Sequence, residues 1–133
     1  MPKGLLENDE GLLLRSRGSD GTAFMIAVNG QVVSNKSVEN YLSVLVNQFF
    51  KILPIKESGE KTLTVYMRSL RDELLGFEAL FEIFQDDAYL LSLTAILQYL
   101  IDNDPDVSEV RTSVFKAIDI CKKLQKRFEA VKE

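Results

Sequence analysis

The sequence predicts a mainly α-helical protein, an antiparallel bundle of about four helices preceded by a short N-terminal β-hairpin or extended arm. Three observations carry that expectation. Five of the seven glycines (Gly4, Gly11, Gly18, Gly21 and Gly30) fall in the first 30 residues, where they disfavour helix and permit turns. From Ser34 onward the apolar period changes from two to between three and four, as a switch to helix requires. The third is the run AYLLSLTAILQYLI from Ala88 to Ile101, which contains no charged residue. A helix apolar nearly all round must be covered on more than one side, by its own bundle or by another chain.

Within the N-terminal arm, residues 1–34, Phe24, Ile26 and Val28 alternate with the smaller Ala23, Met25 and Ala27, and Asn29-Gly30 precedes Gln31-Val32-Val33. Asn-Gly suits the two positive-φ positions of a type I′ turn, so a hairpin is expected, with an ordered but irregular arm as the alternative. Leu12 to Arg17, joined to Thr22 through Gly18-Ser19-Asp20-Gly21, could add a third strand.

Residues 35–133 form the bundle, and arm and bundle together make one domain. The first helix is expected from Asn35 or Ser37 as N-cap to Leu53, stopped by Pro54, with the polar stripe Lys36, Asn40, Ser43, Asn47 and Lys51 facing away from Tyr41, Leu42, Leu45, Phe49 and Ile52. Its apolar face is wide, taking in Val44, Val46 and Phe50 as well. The second helix, about Thr62 to Phe84, carries Leu63, Met67, Leu70, Leu74, Phe77, Phe81 and Phe84 at steps of four and three. This seam runs in phase through Gly76, which favours a continuous helix there over a C-cap. The third helix starts near Asp86 or Asp87 and ends around Asp102, with acids at its N-terminal end complementing the helix dipole. Ala88, Ser92 and Ala95 give it one small face that lets a neighbouring helix approach closely. The fourth follows Asp104-Pro105-Asp106, with proline at the first helical position and a capping-box spacing from Asp106 to Glu109. Its seam is Val107, Val110, Val114, Ala117, Cys121, Leu124, Phe128 and Val131.

Charge is laid out in blocks. Nine acids and no Lys or Arg lie between residues 72 and 106, for −9, while residues 1–71 carry +2 and 107–133 carry +3, within a net charge of −4. Blocks of opposite sign can pair inside a monomer or across a partner. At 46% hydrophobic and 27% charged, the composition is that of a chain that folds throughout. The single cysteine, Cys121, allows no intramolecular disulfide. No signal segment is read after Met1-Pro2-Lys3, so a cytoplasmic location is expected. The 14-residue uncharged run is shorter than the roughly 20 residues needed to cross a bilayer, so no membrane partner is expected.

Catalytic templates find little purchase. With no histidine, the usual general base and commonest metal ligand are missing. Cys121 occupies a seam position and reads as a small buried hydrophobe. Gly18-Ser19-Asp20-Gly21 lacks the lysine and downstream helix of a phosphate loop. Asp102-Asn103-Asp104-Pro105-Asp106 resembles the opening of a calcium loop, yet Val107 and Ser113 stand where that loop needs Gly and Glu, and helix capping accounts for the acids. Glu78, Glu82 and Asp86 could form a carboxylate row, but no facing carboxylate helix completes a di-metal site, and a solvated face is the simpler reading. No enzyme, cofactor or metal is therefore expected.

The expectation is a non-catalytic protein-interaction or self-assembling helical subunit, its partner another protein or a second copy of itself. Its candidate surface is Tyr89, Leu93, Ile96, Leu97 and Leu100 on the third helix with Val46 and Phe50 on the first. The alternative is a nucleic-acid-associated regulator using a basic patch of Lys116, Lys123 and Arg127 near the end of the last helix. A pI near 5 and the intervening Asp119 weigh against nucleic acid as a partner.

Overall fold

A computed structural model describes residues 13–14, 24–26 and 28–132 of the protein, and these form three short strands followed by five helices. Strands β1 (Leu13–Leu14), β2 (Phe24–Ile26) and β3 (Val32–Ser34) pair antiparallel in that order. Helices α1 (Asn35–Phe50), α2 (Ile52–Ser58), α3 (Leu63–Leu80), α4 (Ala88–Asn103) and α5 (Val107–Lys132) follow. The Gly18 to Gly21 turn and the Val131 side chain of the expected seam lie outside the described residues.

The predicted hairpin is present with a different turn. Ile26 pairs with Val32 and Met25 with Val33, which centres the loop on Asn29 instead of between Asn29 and Gly30. A type I′ turn would need both residues at positive φ, whereas only Gly30, at φ 89°, adopts it. The Asn29 side chain instead accepts a hydrogen bond from the Gln31 amide at 2.9 Å, and this local closure competes with the tighter turn.

Helix α1 begins one residue earlier than expected, because Ser34 is the N-cap and accepts from the Ser37 amide at 3.1 Å. Asn35 is the first helical residue, and it is buried. Nor does Pro54 stop the helix. The break falls at Lys51, and Pro54 sits in the first turn of α2, which ends at Gly59 with φ 74°. Proline lacks the amide that would reach the Phe50 carbonyl and its ring crowds that residue, so the interruption appears just after Phe50, upstream of the ring.

Helix α3 runs through Gly76 as expected but ends at Leu80, short of Phe84. The Leu80 carbonyl accepts the Val28 amide at 2.7 Å, and the Phe84 amide turns to the Phe81 carbonyl in a 3₁₀ turn at Glu82–Phe84. Phe81 and Phe84 nevertheless remain buried. Ring contacts link Tyr41, Phe77, Phe81, Phe84 and Phe128 into one aromatic cluster between α1, α3 and the last turns of α5. The seam thus keeps its place in the core after the helix has stopped.

The expected start of α5 shifts by one feature. Pro105 precedes the helix and is buried, while Asp106 accepts from the Glu109 amide at 2.9 Å and caps it. From there Val110, Val114, Ala117, Cys121, Leu124 and Phe128 face inward. Helix α5 receives α1, α2 and α4, while α3 packs on α4 and reaches α1 through the Tyr66 hydroxyl, which donates to the Gln48 carbonyl at 2.7 Å. Contacts at separate levels show that α4 runs antiparallel to both neighbours. Arg71 of α3 donates to Gln98 of α4 at 3.0 Å while Glu78, further along α3, accepts from the Asp86 amide just ahead of α4 at 2.8 Å, and Tyr99 and Asp87, at opposite ends of α4, engage Glu109 and Arg127 of α5. No described helix is long and apolar enough to cross a membrane.

Candidate interaction face

The Asp87 carboxylate fixes the N-terminal end of α4. Its side chain is 2% exposed and its Oδ1 accepts from the Tyr89 and Leu90 amides at 2.8 and 3.1 Å, satisfying two donors that a helix start leaves open. Its Oδ2 pairs with the Arg127 guanidinium, whose carbon lies 5.1 Å from the centre of the Tyr89 ring. One residue therefore caps α4, docks the last turns of α5 and joins the acidic block to the basic one. Lys56–Asp104, at 3.0 Å, is a second such link, with Asp104 closing α4 in the left-handed conformation at φ 43°.

Leu90, Leu93, Leu97 and Leu100 form the inward face of α4. This corrects the sequence-derived interaction surface, since Leu93 and Leu97 are 0% exposed and Leu100 1%. Steps of three, four and three make them a seam like those of α3 and α5. Tyr89, whose ring lies under Arg127 of α5, and Ile96 are half-buried against the core. Val46 is half-buried on α1, and Phe50 is exposed there in an edge-to-face contact with Phe115 of α5, so these two belong to a separate α1/α5 surface. The small face is corrected too. Ala88, Ser92 and Ala95, expected against a neighbouring helix, point to solvent. With them on the outer face stand Leu91, 46% exposed, and Tyr99, 43% exposed.

That outer face is an apolar strip without a charge between Asp87 and Asp102. The Tyr99 hydroxyl donates to the Glu109 carboxylate at one edge, and this hydrogen bond is the main cause of a phenol pKa above the ordinary value. Leu75 is exposed on α3, and the Arg71 to Gln98 contact places it on the same side of the bundle as Leu91. Its signal in the sequence was the repeat Ala88, Ser92, Ala95, Tyr99, at steps of four, three and four. Small residues in that repeat suggested close packing within the bundle, while the stronger leucine seam decided which side turned in.

The candidate basic patch is exposed but partly engaged. Arg127 is held by Asp87, and Lys123 lies 3.3 Å from Asp119. Glu78 and Asp86 do not form a metal row, because the carboxylate of Glu78 accepts the Asp86 amide at 2.8 Å and Glu82 lies in the 3₁₀ turn. Among the described residues no cluster of three or more potential ligands of the His, Cys, Asp and Glu type could hold a metal ion.

Two buried reactive groups lie away from this face. The Tyr41 ring stacks on Phe77 with centroids 4.5 Å apart, and its hydroxyl is buried without a hydrogen-bond partner. Burial, then the nearby Glu73 charge and Cys121, push its pKa upward. Burial raises the Cys121 thiol from its ordinary 9.0 to about 12, which leaves almost no thiolate at neutral pH. Native protein at pH 8 should therefore react with a disulfide reagent only as fast as it opens, and the unfolded chain at once. Because the folded pKa lies above the unfolded one, the contribution of the neutral thiol to stability is whole below pH 9 and is lost as pH rises toward 12. A thiol titrated rapidly and completely in the native state would contradict this placement.

Comparison with known proteins finds no matching family model, no matching curated protein and no matching solved structure.

Proposed function

We propose that this chain is a non-catalytic, cytosolic interaction subunit that assembles with itself through the outer face of α4. The observation that carries the reading is the exposure of Leu91 and Tyr99 on a helix with no charge between its capping Asp87 and Asp102. In a bundle that stays monomeric, the outward side of each helix holds the charged residues, and contiguous apolar exposure marks a contact surface. Helices α1, α3 and α5 carry exposed charges such as Lys36, Asp72 and Lys122 beside their exposed Val44, Phe50, Val65 and Phe115. Helix α4 departs from that pattern along its whole exposed length.

The non-catalytic part of the reading is supported by the absence of histidine from the sequence and by the burial of the one thiol. Its cytosolic part rests on that same unpaired cysteine. Leu91→Glu and Ala95→Glu test the assembly. Both positions are exposed, so thermal unfolding should move by no more than a few degrees, while size exclusion with light scattering should show the assembled native protein reduced to monomer. Variants that assemble like the native chain would refute the role of this face.

A further inference from the structure

The four long helices do not close on one another equally. Close backbone packing joins α1 to α5, α5 to α4 and α4 to α3, whereas α1 and α3, which complete the ring, approach each other far less closely. Side chains bridge the gap. The Tyr41 ring of α1 stacks on Phe77 of α3, and the Tyr66 hydroxyl of α3 donates to the Gln48 carbonyl of α1 at 2.7 Å.

Tyr41, Val44 and Gln48 fall on one stripe of α1 at steps of three and four. Val44, between the other two, is 47% exposed, so the middle of the seam is open to water on its outer side. Burial first, and then the charge of Glu73, raise the Tyr41 and Tyr66 phenols above the ordinary value, which puts this exposed carboxylate of α3 over the same seam.

The stripe also holds a polar defect. The Tyr41 hydroxyl and the Gln48 side-chain oxygen are both buried without a hydrogen-bond partner. Each has been taken from water with no replacement, a cost that a local opening returns. Among the described residues, no side chain of α4 or α5 has such an atom. The inward positions of those two helices are apolar, among them Leu93 and Leu97 of α4 and Val114 and Ala117 of α5, so parting them would recover nothing of this kind.

We infer that the bundle breathes along the α1/α3 seam: the two helices part far enough to admit water beside Tyr41 and Gln48, while α1 stays on α5 and α3 on α4. The Tyr66 hydroxyl is the latch that closes the seam. Such an opening lies below global unfolding in free energy, as expected where backbone packing is sparse and buried polar groups gain by meeting water.

Cys121 of α5 reports the opening, because its thiol is buried and lies near enough to Tyr41 to act on that phenol after burial and Glu73 have done so. In the full chain at pH 8, with reclosing faster than reaction, labelling of Cys121 by a disulfide reagent follows the open population. Labelling should run roughly tenfold or more ahead of what the globally unfolded population allows, with weak dependence on urea until the main transition. Tyr41→Phe and Tyr66→Phe both keep the ring and its packing. The first removes the hydroxyl that gains from opening and should slow native labelling about tenfold. The second removes the latch and should speed it several-fold. Labelling of the native chain that tracks global unfolding in both size and urea dependence would overturn the inference, and so would a native rate that Tyr41→Phe leaves unchanged.

Discussion

Replacing Leu97 by alanine is expected to lower the unfolding free energy by about 2 to 5 kcal/mol, the range for deleting a fully buried leucine whose surroundings cannot close the cavity. Leu97 is 0% exposed in the middle of α4, the helix that α3 and α5 flank on its two sides. Neither neighbour can move to fill the space without losing its own seam. Leu91→Ala, six residues away on the outward side, should cost well under half as much. Urea titrations followed by circular dichroism separate the two. Equal and small losses at both positions would mean that the inward side of α4 has been wrongly assigned.

Asp87→Ala should be the most damaging change to any charged residue among the described residues, at about 2 to 3 kcal/mol. Two effects add. Removal of an N-cap acceptor costs about 1 kcal/mol, and the loss of the carboxylate strips Arg127 of the partner that docks the last turns of α5 onto α4. Arg127 retains partial access to water, which keeps the total below that for a fully buried broken pair. Asp87→Asn keeps a capping acceptor and loses the charge, so it should fall between the alanine variant and the native protein. Asp86→Ala, at the exposed neighbouring position, should be close to neutral. An Asp87→Ala variant as stable as the native chain would show that Arg127 does not dock α5 through this carboxylate.

The number and order of the long helices, and the inward faces of α1, α3 and α5, were legible because each of those seams repeats over several turns. Val110 to Phe128 is the clearest case, a run of apolar residues at steps of three and four that no local competitor disturbs. Boundaries were less legible where a decision depended on a group distant in sequence. The end of α3 is set by the Val28 amide reaching the Leu80 carbonyl, which no pattern within 62–84 could announce. Pro54 marked a helix interruption correctly in kind, but its effect appears at Lys51, since the carbonyl it leaves without a donor belongs to Phe50.

The candidate face was only half legible. Its location on the uncharged helix followed from the missing charges, but which residues formed it did not, because a stretch apolar on all sides offers two competing faces. The leucines at 90, 93, 97 and 100 outweigh the alanines and serine at 88, 92 and 95 in the surface they remove from water. They turn inward and leave the small residues, with Leu91 and Tyr99, outside. The pairing of Arg127 with Asp87 had a trace in the opposed charge blocks, although block charges alone do not say which residues meet.

Molar mass measured by light scattering across a dilution series of the native chain tests the central claim most directly. A subunit that assembles through α4 should approach twice the 15.1 kDa chain mass at high concentration and fall toward it on dilution. A mass that stays at 15.1 kDa through the micromolar range and above would contradict the account, leaving the outer face of α4 an apolar surface that the chain keeps in water.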